Sequence, residues 1–466
     1  MKVLLTHGYF LKEDEKEQAI QRPYPPLGIL YVSAYLEQHG ISTAVFDSTF
    51  SEKALLKKHL LDIKPKYLAI YVNLMTKVNV LSIIDFVKTS DHLYDTTIIL
   101  GGPEVTYNTR GFLDHGADFL VIGEGEETML ELITALENDA TDTIPEINGL
   151  AYKDLNGKHC QTGERTKIKD INQLPMPNRK AIDLFKYLNL WKKVHGSNAI
   201  SVSTMRGCPY TCKWCSRAVY GLSYRRRSPE KVVEELEWLK EEYNPDTFWF
   251  VDDVFTINHR WLAGFNDALK KKNLKISYEC ITRADRMNEE VIKMMKESGC
   301  FRVWIGAESG SQKIIDLMDR RVKVDMVREM ITLAKSSGIE TGTFIMLGYP
   351  GETEKDIEET IHHLKTSNPD HFTITIAYPI RGTDLYQEVE SLHTKKLNWA
   401  FSSDRDIDFK RTYSRSYYDH ALRRVINEVN YYKNKSNVKA AAAFKAKSLV
   451  SKLGMQWEKI KQPKTS

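Results

Sequence analysis

The chain has 466 residues, 66 basic against 62 acidic, for a formal net charge of +4; that balance excludes bulk electrostatic attraction to nucleic acid. A content of 42% hydrophobic and 27% charged residues excludes a disordered or fibrous chain, and the length calls for two or three domains. No run of about 18 apolar residues occurs and residues 1–7 read as a strand rather than a signal peptide, so a cytoplasmic protein is expected.

Residues 2–6, 43–46, 67–72, 97–100 and 119–122 are strand-like, with helical patterns between them. This alternation predicts an α/β fold, a doubly wound, Rossmann-like parallel sheet of flavodoxin type whose ligands bind beyond the carboxyl ends of its strands. The unusual residues fall at those ends. Arg22-Pro23-Tyr24-Pro25-Pro26-Leu27-Gly28 follows the first strand and residues 73–76, ending in Thr76, follow the third. Gly101-Gly102-Pro103-Glu104 follows the fourth strand and Gly123-Glu124-Gly125-Glu126 the fifth. Glycines there permit tight turns and close approach of backbone to a large ligand, although any one such segment alone is more often just a turn.

Residues 151–194 read as a connector in which Leu174-Pro175-Met176-Pro177-Asn178-Arg179 favours an extended path, with Cys160 an isolated free thiol in a hairpin. Beyond it, six strand candidates end near Thr204, Val251, Ile281, Ile305, Met346 and Ile376, a pattern that fits a partial (β/α)6 barrel. Pro229 marks one helix start. Working residues of parallel barrels sit at the carboxyl ends of strands. Here those ends carry Asp252-Asp253, Thr282-Arg283-Ala284-Asp285, Gly306-Ala307-Glu308-Ser309-Gly310 and Gly348-Tyr349-Pro350-Gly351-Glu352-Thr353.

The first of these strands leads into Cys208-Pro-Tyr-Thr-Cys212-Lys-Trp-Cys215. Iron–sulfur clusters usually take four thiolates, so a compact set of three implies an iron completed by substrate or cofactor. A structural zinc site would need a fourth ligand nearby, and the next histidine is His259. Six cysteines in a chain of this length argue against disulfides. Cys280 and Cys300 lie in or beside strands without clustered spacing and read as buried thiols.

The spacing of the triplet, with Trp214 before its last cysteine, resembles the radical S-adenosylmethionine (SAM) superfamily. The four strand-end segments ahead of it make residues 1–150 resemble the cobalamin-binding domain of the vitamin B12-dependent subgroup. That subgroup spans cobalamin-dependent methylases and anaerobic magnesium-protoporphyrin IX monomethyl ester cyclase. The resemblance implies a 4Fe–4S cluster on Cys208, Cys212 and Cys215, with SAM chelating the fourth iron. It implies cobalamin against Pro26, Gly28, Thr76, Gly101, Gly102, Pro103, Glu104, Gly123, Glu124 and Gly125. No histidine among the 13 has an aspartate two residues before it, so a histidine ligand to cobalt is not supported. SAM is a zwitterion with a sulfonium, and the barrel's strand ends offer suitable partners. Asp252 or Asp253 suits the ammonium and ribose, Arg283 the carboxylate, Glu308 and Ser309 the ribose or sulfonium side, and Gly348 the approach of adenine to backbone.

On this resemblance residues 195–385 form the radical SAM barrel and residues 386–466 a variable, mainly helical substrate or capping region, in which residues 401–404 would cover the barrel mouth. The last 34 residues hold nine lysines and one acid. Val438, Phe444, Leu449, Leu453, Trp457 and Ile460 are expected along one face of a helix, which reads as a solvated helix packed on the barrel or as a peripheral membrane contact. The implied reaction is methylation of an unactivated carbon in a small-molecule or lipid substrate, through a 5'-deoxyadenosyl radical and methylcobalamin, with flavodoxin or ferredoxin as electron donor. Alternatives are a cyclase or rearrangement enzyme and, disfavoured by the triplet, a non-catalytic cobalamin-binding regulator.

Overall fold

A computed structural model describes residues 2–461. The chain forms two compact units, one of Met1–Pro209, Ser216–Thr247 and Leu397–Arg405, the other of Tyr210–Cys215, Phe248–Lys396 and Asp406–Ser466.

The first unit is built on β1 (Val3–His7), β2 (Thr43–Phe46), β3 (Tyr67–Tyr71), β4 (Thr97–Gly101), β5 (Phe119–Val121), β6 (Leu150–Lys153) and β7 (His159–Gln161). Their spatial order is β2-β1-β3-β4-β5-β6-β7. The first five are parallel and the last two antiparallel, the final pair being the expected hairpin with Cys160 in its second strand. These strands read as unbroken apolar runs because both faces are covered. Val3, Leu5, Tyr67, Ala69 and Ile99 enter one core with Ile29, Leu36, Met129 and Leu132, while Leu4, Leu68, Ile70, Ile98 and Leu100 enter the other with Leu56, Leu60, Val80 and Ile84. The order of strands reverses between β1 and β3, which opens a crevice beyond their carboxyl ends.

Within the same unit β8 (Ala199–Val202) is followed by β9 (Met205–Arg206) and β10 (Arg225–Arg226), an antiparallel pair. Gly207 follows at φ 84°, and a Cβ there would lie 2.3 Å from Ser223 Oγ, so only glycine lets the cysteine loop leave β9 at this point. The Pro-rich connector is locked by Arg179, whose Nη2 donates to Glu235 Oε1 at 2.7 Å and to Ser201 O at 2.9 Å; Arg227 takes the other oxygen of Glu235. Both Arg179 and Glu235 are fully buried. Trp399 packs edge-on to Phe112 and donates to Asn108 Oδ1 at 2.9 Å, so the segment expected over the barrel mouth is anchored within this unit.

The second unit carries β11 (Thr247–Phe250, of which Thr247 counts with the first unit), β12 (Tyr278–Thr282), β13 (Cys300–Glu308), β14 (Glu340–Leu347) and β15 (His371–Ile376). They pair in sequence order and all in parallel. Helices His259–Lys271, Glu289–Glu297, Val324–Ser336 and Glu354–Ser367 alternate with them. Pro229–Tyr243, capped by Ser228, precedes β11 as the sequence predicts. Cys280 and Cys300 are buried in this sheet. The chain closes with a helical hairpin, Arg415–Lys433 and Val438–Lys461. The molecule is therefore an α/β protein with two mainly parallel sheets and a helical C-terminal part. Among the described residues no helix is long and apolar enough to cross a membrane.

Candidate active site

In the first unit a cavity of about 270 Å³ lies beyond the carboxyl ends of β1, β3, β4 and β5. Its floor is backbone. A Cβ built on Gly28, Gly101 or Gly123 would meet nothing closer than 3.7 Å, so these glycines hold open space that side chains would fill. Gly102 differs. At φ 109° its Cβ would sit 2.5 Å from Val72 O, so its glycine serves the turn.

One wall is ionic and closed on itself. Arg206 Nη1 donates to Glu124 Oε1 at 2.8 Å and Nη2 to Glu126 Oε1 at 2.5 Å, with the guanidinium over the rings of Tyr31 and Tyr220. Arg225 Nη1 takes Glu124 Oε2 at 2.5 Å, and the Ile168 N–H donates to the same oxygen at 3.1 Å. Two carboxylates thus face two guanidiniums, and Arg206, Glu124 and Glu126 are all buried. Burial pushes the Tyr31 and Tyr71 phenols up to about 12, so they stay protonated.

A neighbouring recess of about 530 Å³ is lined by His7, Tyr9, Arg22, Pro26, Gly28, Asn73 and Thr76. The Tyr9 N–H donates to His7 Nδ1 at 3.2 Å and His7 Nε2 lies 3.1 Å from Asp47 Oδ1. Nδ1 being the acceptor, the proton is on Nε2, and neither nitrogen is free for cobalt. Thr76 Oγ1 accepts from the Asn73 N–H at 3.0 Å, and Glu104 accepts from Asn108 Nδ2 at 3.1 Å; both side chains are buried within their own turns. Pro103 lines the glycine-floored cavity beside Gly102, and Gly125 opens the helix Gly125–Glu137.

In the second unit Cys212 is buried and Cys215 exposed, and the Cys215 N–H donates to Cys212 O at 3.2 Å, closing a turn. Cys208, half-buried, belongs to the first unit. Among the described residues no three His, Cys, Asp or Glu side chains converge as a finished metal centre. The fit to iron rests on donor chemistry, three cysteine thiols on one short loop.

Arg283, at the end of β12, lies 3.8 Å from the centre of the Tyr210 ring, with Nη1 3.7 Å from Cys212 Sγ. Its fork is already engaged, Nε to Asp285 Oδ1 at 2.8 Å and Nη2 to Arg320 O at 2.7 Å. Glu308 ends β13 at φ 65°, where the register with β14 shifts. Arg320 Nη1 lies 3.5 Å from its Oε1, and Arg320 Nε has no partner among the described residues. Burial raises the Glu308 carboxyl above the ordinary range against the pull of Arg320 and Arg283. Asp252 is buried, whereas Asp253 is accessible to solvent yet set among protein atoms. That surrounding raises its carboxyl, and the Asp252 charge adds to the rise. Ser309 Oγ accepts from the Ser311 N–H at 3.1 Å. Gly348, at φ 77°, donates its N–H to the buried Glu352 Oε2 at 2.6 Å. Trp214 packs against the cluster of Ile314, Met318 and Tyr349, with Arg320 over its ring.

Sequence reasoning missed Arg206, Arg225 and Arg320. A signal existed for the first two, because an acidic pair on a turn between apolar segments needs buried cations, and Arg206 stands just before Gly207-Cys208. Arg320 pairs with Glu308 only through the fold.

Comparison with known proteins covers both parts of the chain. The radical SAM superfamily profile matches residues 202–364 and the B12 binding domain profile residues 19–133. An uncharacterized methyltransferase of Pyrococcus horikoshii is 31% identical over 383 residues, covering 80% of each chain. The anaerobic magnesium-protoporphyrin IX monomethyl ester cyclase of Rubrivivax gelatinosus is 27% identical over 417 residues, 86% of this chain and 73% of that one. The solved structure of OxsB, a cobalamin-dependent SAM radical enzyme with aqua-cobalamin and SAM bound, shares the fold at TM-score 0.76 and 17% identity over 97% of this chain and 71% of that one. With a radical SAM match and a B12 binding domain match in one polypeptide, the chain belongs to the radical SAM superfamily, in the subgroup that carries a B12-binding domain.

Proposed function

We propose that this enzyme uses SAM and cobalamin to methylate an unactivated carbon of a small-molecule or lipid substrate. The observation that carries the reading is one chain holding both a three-thiol loop and a glycine-floored cavity whose wall charges cancel. A neutral, backbone-lined cavity suits a large macrocycle better than a small ion. The methyltransferase relative supports methyl transfer. When bound, the cluster and SAM supply one-electron cleavage to a carbon-centred radical, and cobalamin supplies a transferable methyl group.

The chain's own residues bind, orient and exclude water. Cys208, Cys212 and Cys215 hold three irons, and Trp214 backs their loop. Asp252 and Asp253 take the SAM ammonium and ribose, Glu308 the ribose or sulfonium side with Ser309 bracing its turn, and Gly348 admits the adenine edge to backbone. Because the Arg283 fork is engaged by Asp285, its part is to fix the loop at Cys212 and to present positive charge to the SAM carboxylate. Pro26, Gly28, Thr76, Gly101, Gly102, Pro103, Glu104, Gly123, Glu124 and Gly125 shape the cobalamin side. In this reading residues 1–150 bind cobalamin, 151–194 connect, 195–385 form the SAM barrel and 386–466 serve the substrate. The protein works in the cytoplasm with a flavodoxin or ferredoxin donor.

A second reading, radical cyclisation, is favoured by the cyclase relative. The test is anaerobic reconstitution with iron and sulfide, a cobalamin titration in the visible spectrum, and product mass. About four irons, one cobalamin and a product heavier by one methylene support methylation. An unchanged carbon count supports cyclisation. A loaded cluster that cleaves SAM without retaining cobalamin overturns both cobalamin readings.

A further inference from the structure

The C-terminal helix turns its bulky apolar face to solvent. In Val438–Lys461 the buried positions are Ala441, Ser448, Ser451 and Met455. On that side Gly454 lets the His420 ring come so close that a Cβ would lie 2.5 Å from it. The other side carries Val438, Leu449, Leu453, Trp457 and Ile460, exposed by 77, 53, 70, 60 and 77%. With Ala442 and Ala446 these recur at intervals of four, four, three, four, four and three, one stripe along the axis about 33 Å long. Val450 widens it at 68% exposure. Phe444, expected in the stripe, is half-buried and lies off it. Ordinary packing would put these large residues inward and the alanines and serines outward; here the order is reversed.

The flanks decide what covers the stripe. Lys452 borders one side and Lys439 and Lys447 the other, all three exposed and without a carboxylate partner among the described residues. The sole acid of the helix, Glu458, is taken by Ser414 and Lys461. A second copy docked face to face would set lysine rows against lysine rows with no acid to answer them. A surface that is apolar below and anionic at its edge answers both features. From this geometry we infer that the helix Val438–Lys461 lies along an anionic lipid bilayer, its stripe among the acyl chains and its lysines at the phosphates. The substrate or product then meets the enzyme at a membrane face.

The test uses the full-length, cluster-loaded protein and sedimentation with vesicles of phosphatidylcholine alone or with added phosphatidylglycerol. Binding should rise with phosphatidylglycerol and fall with salt. Leu453→Glu with Trp457→Glu, both at exposed positions, should abolish it while iron content and SAM cleavage in solution are kept. Lys439→Gln, Lys447→Gln and Lys452→Gln together should weaken it by about a hundredfold, roughly fivefold per charge. Equal affinity for both vesicles, no affinity, or unaltered binding by the Glu variants would overturn the proposal. So would a dimer in sedimentation equilibrium that the Trp457→Glu change dissolves in the absence of vesicle binding, which would assign the stripe to a second copy.

Discussion

The strand ends of the two units are built from opposite materials. At the carboxyl ends of the first sheet the cavity floor is glycine backbone, and the charged groups nearby neutralise one another as Arg206, Arg225, Glu124 and Glu126. At the strand ends of the second sheet the charges are left partly uncompensated. Desolvation raises Glu308 and, with the Asp252 charge, Asp253, and Arg320 Nε lacks a partner among the described residues. A macrocycle that fills space asks for room and shape; a zwitterion asks for unsatisfied groups of chosen sign. In the reading proposed, the first set of charges holds the cavity wall and the second is left for SAM.

The largest expected effect falls on the iron loop. Cys212→Ala should drop iron from about four per chain to near zero and remove SAM cleavage, while cobalamin binding persists, measured by iron assay and visible titration. Loss of cobalamin together with iron would break the separation drawn between the units. Next comes Arg206→Met, which leaves Glu126 without its guanidinium and Glu124 with Arg225 alone. We expect a loss of about 3–5 kcal/mol in denaturant unfolding and weaker cobalamin retention, with SAM binding little changed. A well-folded, cobalamin-binding Arg206→Met protein would show that these charges are dispensable to the cavity.

Much of this was legible in the sequence, for local reasons. Strands buried on both faces announce themselves as apolar runs, and the first five lie within a residue or so of the expected bounds, three of them stopping at or just before Gly8, Gly101 and Gly123. The cysteine triplet needs no fold to be read. Illegible were pairings made by tertiary contact: Arg206 and Glu126 are 80 residues apart, and Arg320 reaches back to Glu308 from beyond the short helix Gln312–Leu317. The C-terminal stripe was half-legible. Its period was visible, but Phe444 fits it only if six residues are counted as a whole number of turns, and which face packs inward depends on His420 of the preceding helix.

Glu352 sharpens the contrast through pH. Fully buried beside the Gly348 turn, with Oε1 lacking a partner among the described residues, its carboxyl is pushed up to about 8 by burial. Between its ordinary value of 4.5 and about 8 the native state holds a proton that the unfolded chain has released, so stability falls as pH rises through that window. The full span corresponds to a loss on the order of 5 kcal/mol. Unfolding curves from pH 5 to 9 should show the slope in the wild type and its absence in Glu352→Gln. An unchanged slope in the variant would place the titration elsewhere.

The smallest and most telling effect is at Glu308. A non-glycine residue at φ 65° carries strain of about 1–3 kcal/mol, and here it sits where β13 and β14 lose register, its carboxyl raised by burial beside Arg320. If that backbone is held for binding, two substitutions should part company. Glu308→Gln keeps the strain and removes the charge, so SAM should bind about tenfold to a hundredfold more weakly, the worth of a charged hydrogen bond, with unfolding near that of wild type. Glu308→Gly removes both; its binding should fall as far, yet its melting temperature should not fall and should rise where strain relief outweighs the added freedom of the unfolded chain. SAM affinity by calorimetry on the reconstituted protein, with melting curves of both variants, separates the two terms. Were Glu308→Gly destabilised like an ordinary core substitution, with SAM affinity unchanged, the carboxylate would belong to the fold through Arg320, and the second unit would spend its charges as the first does.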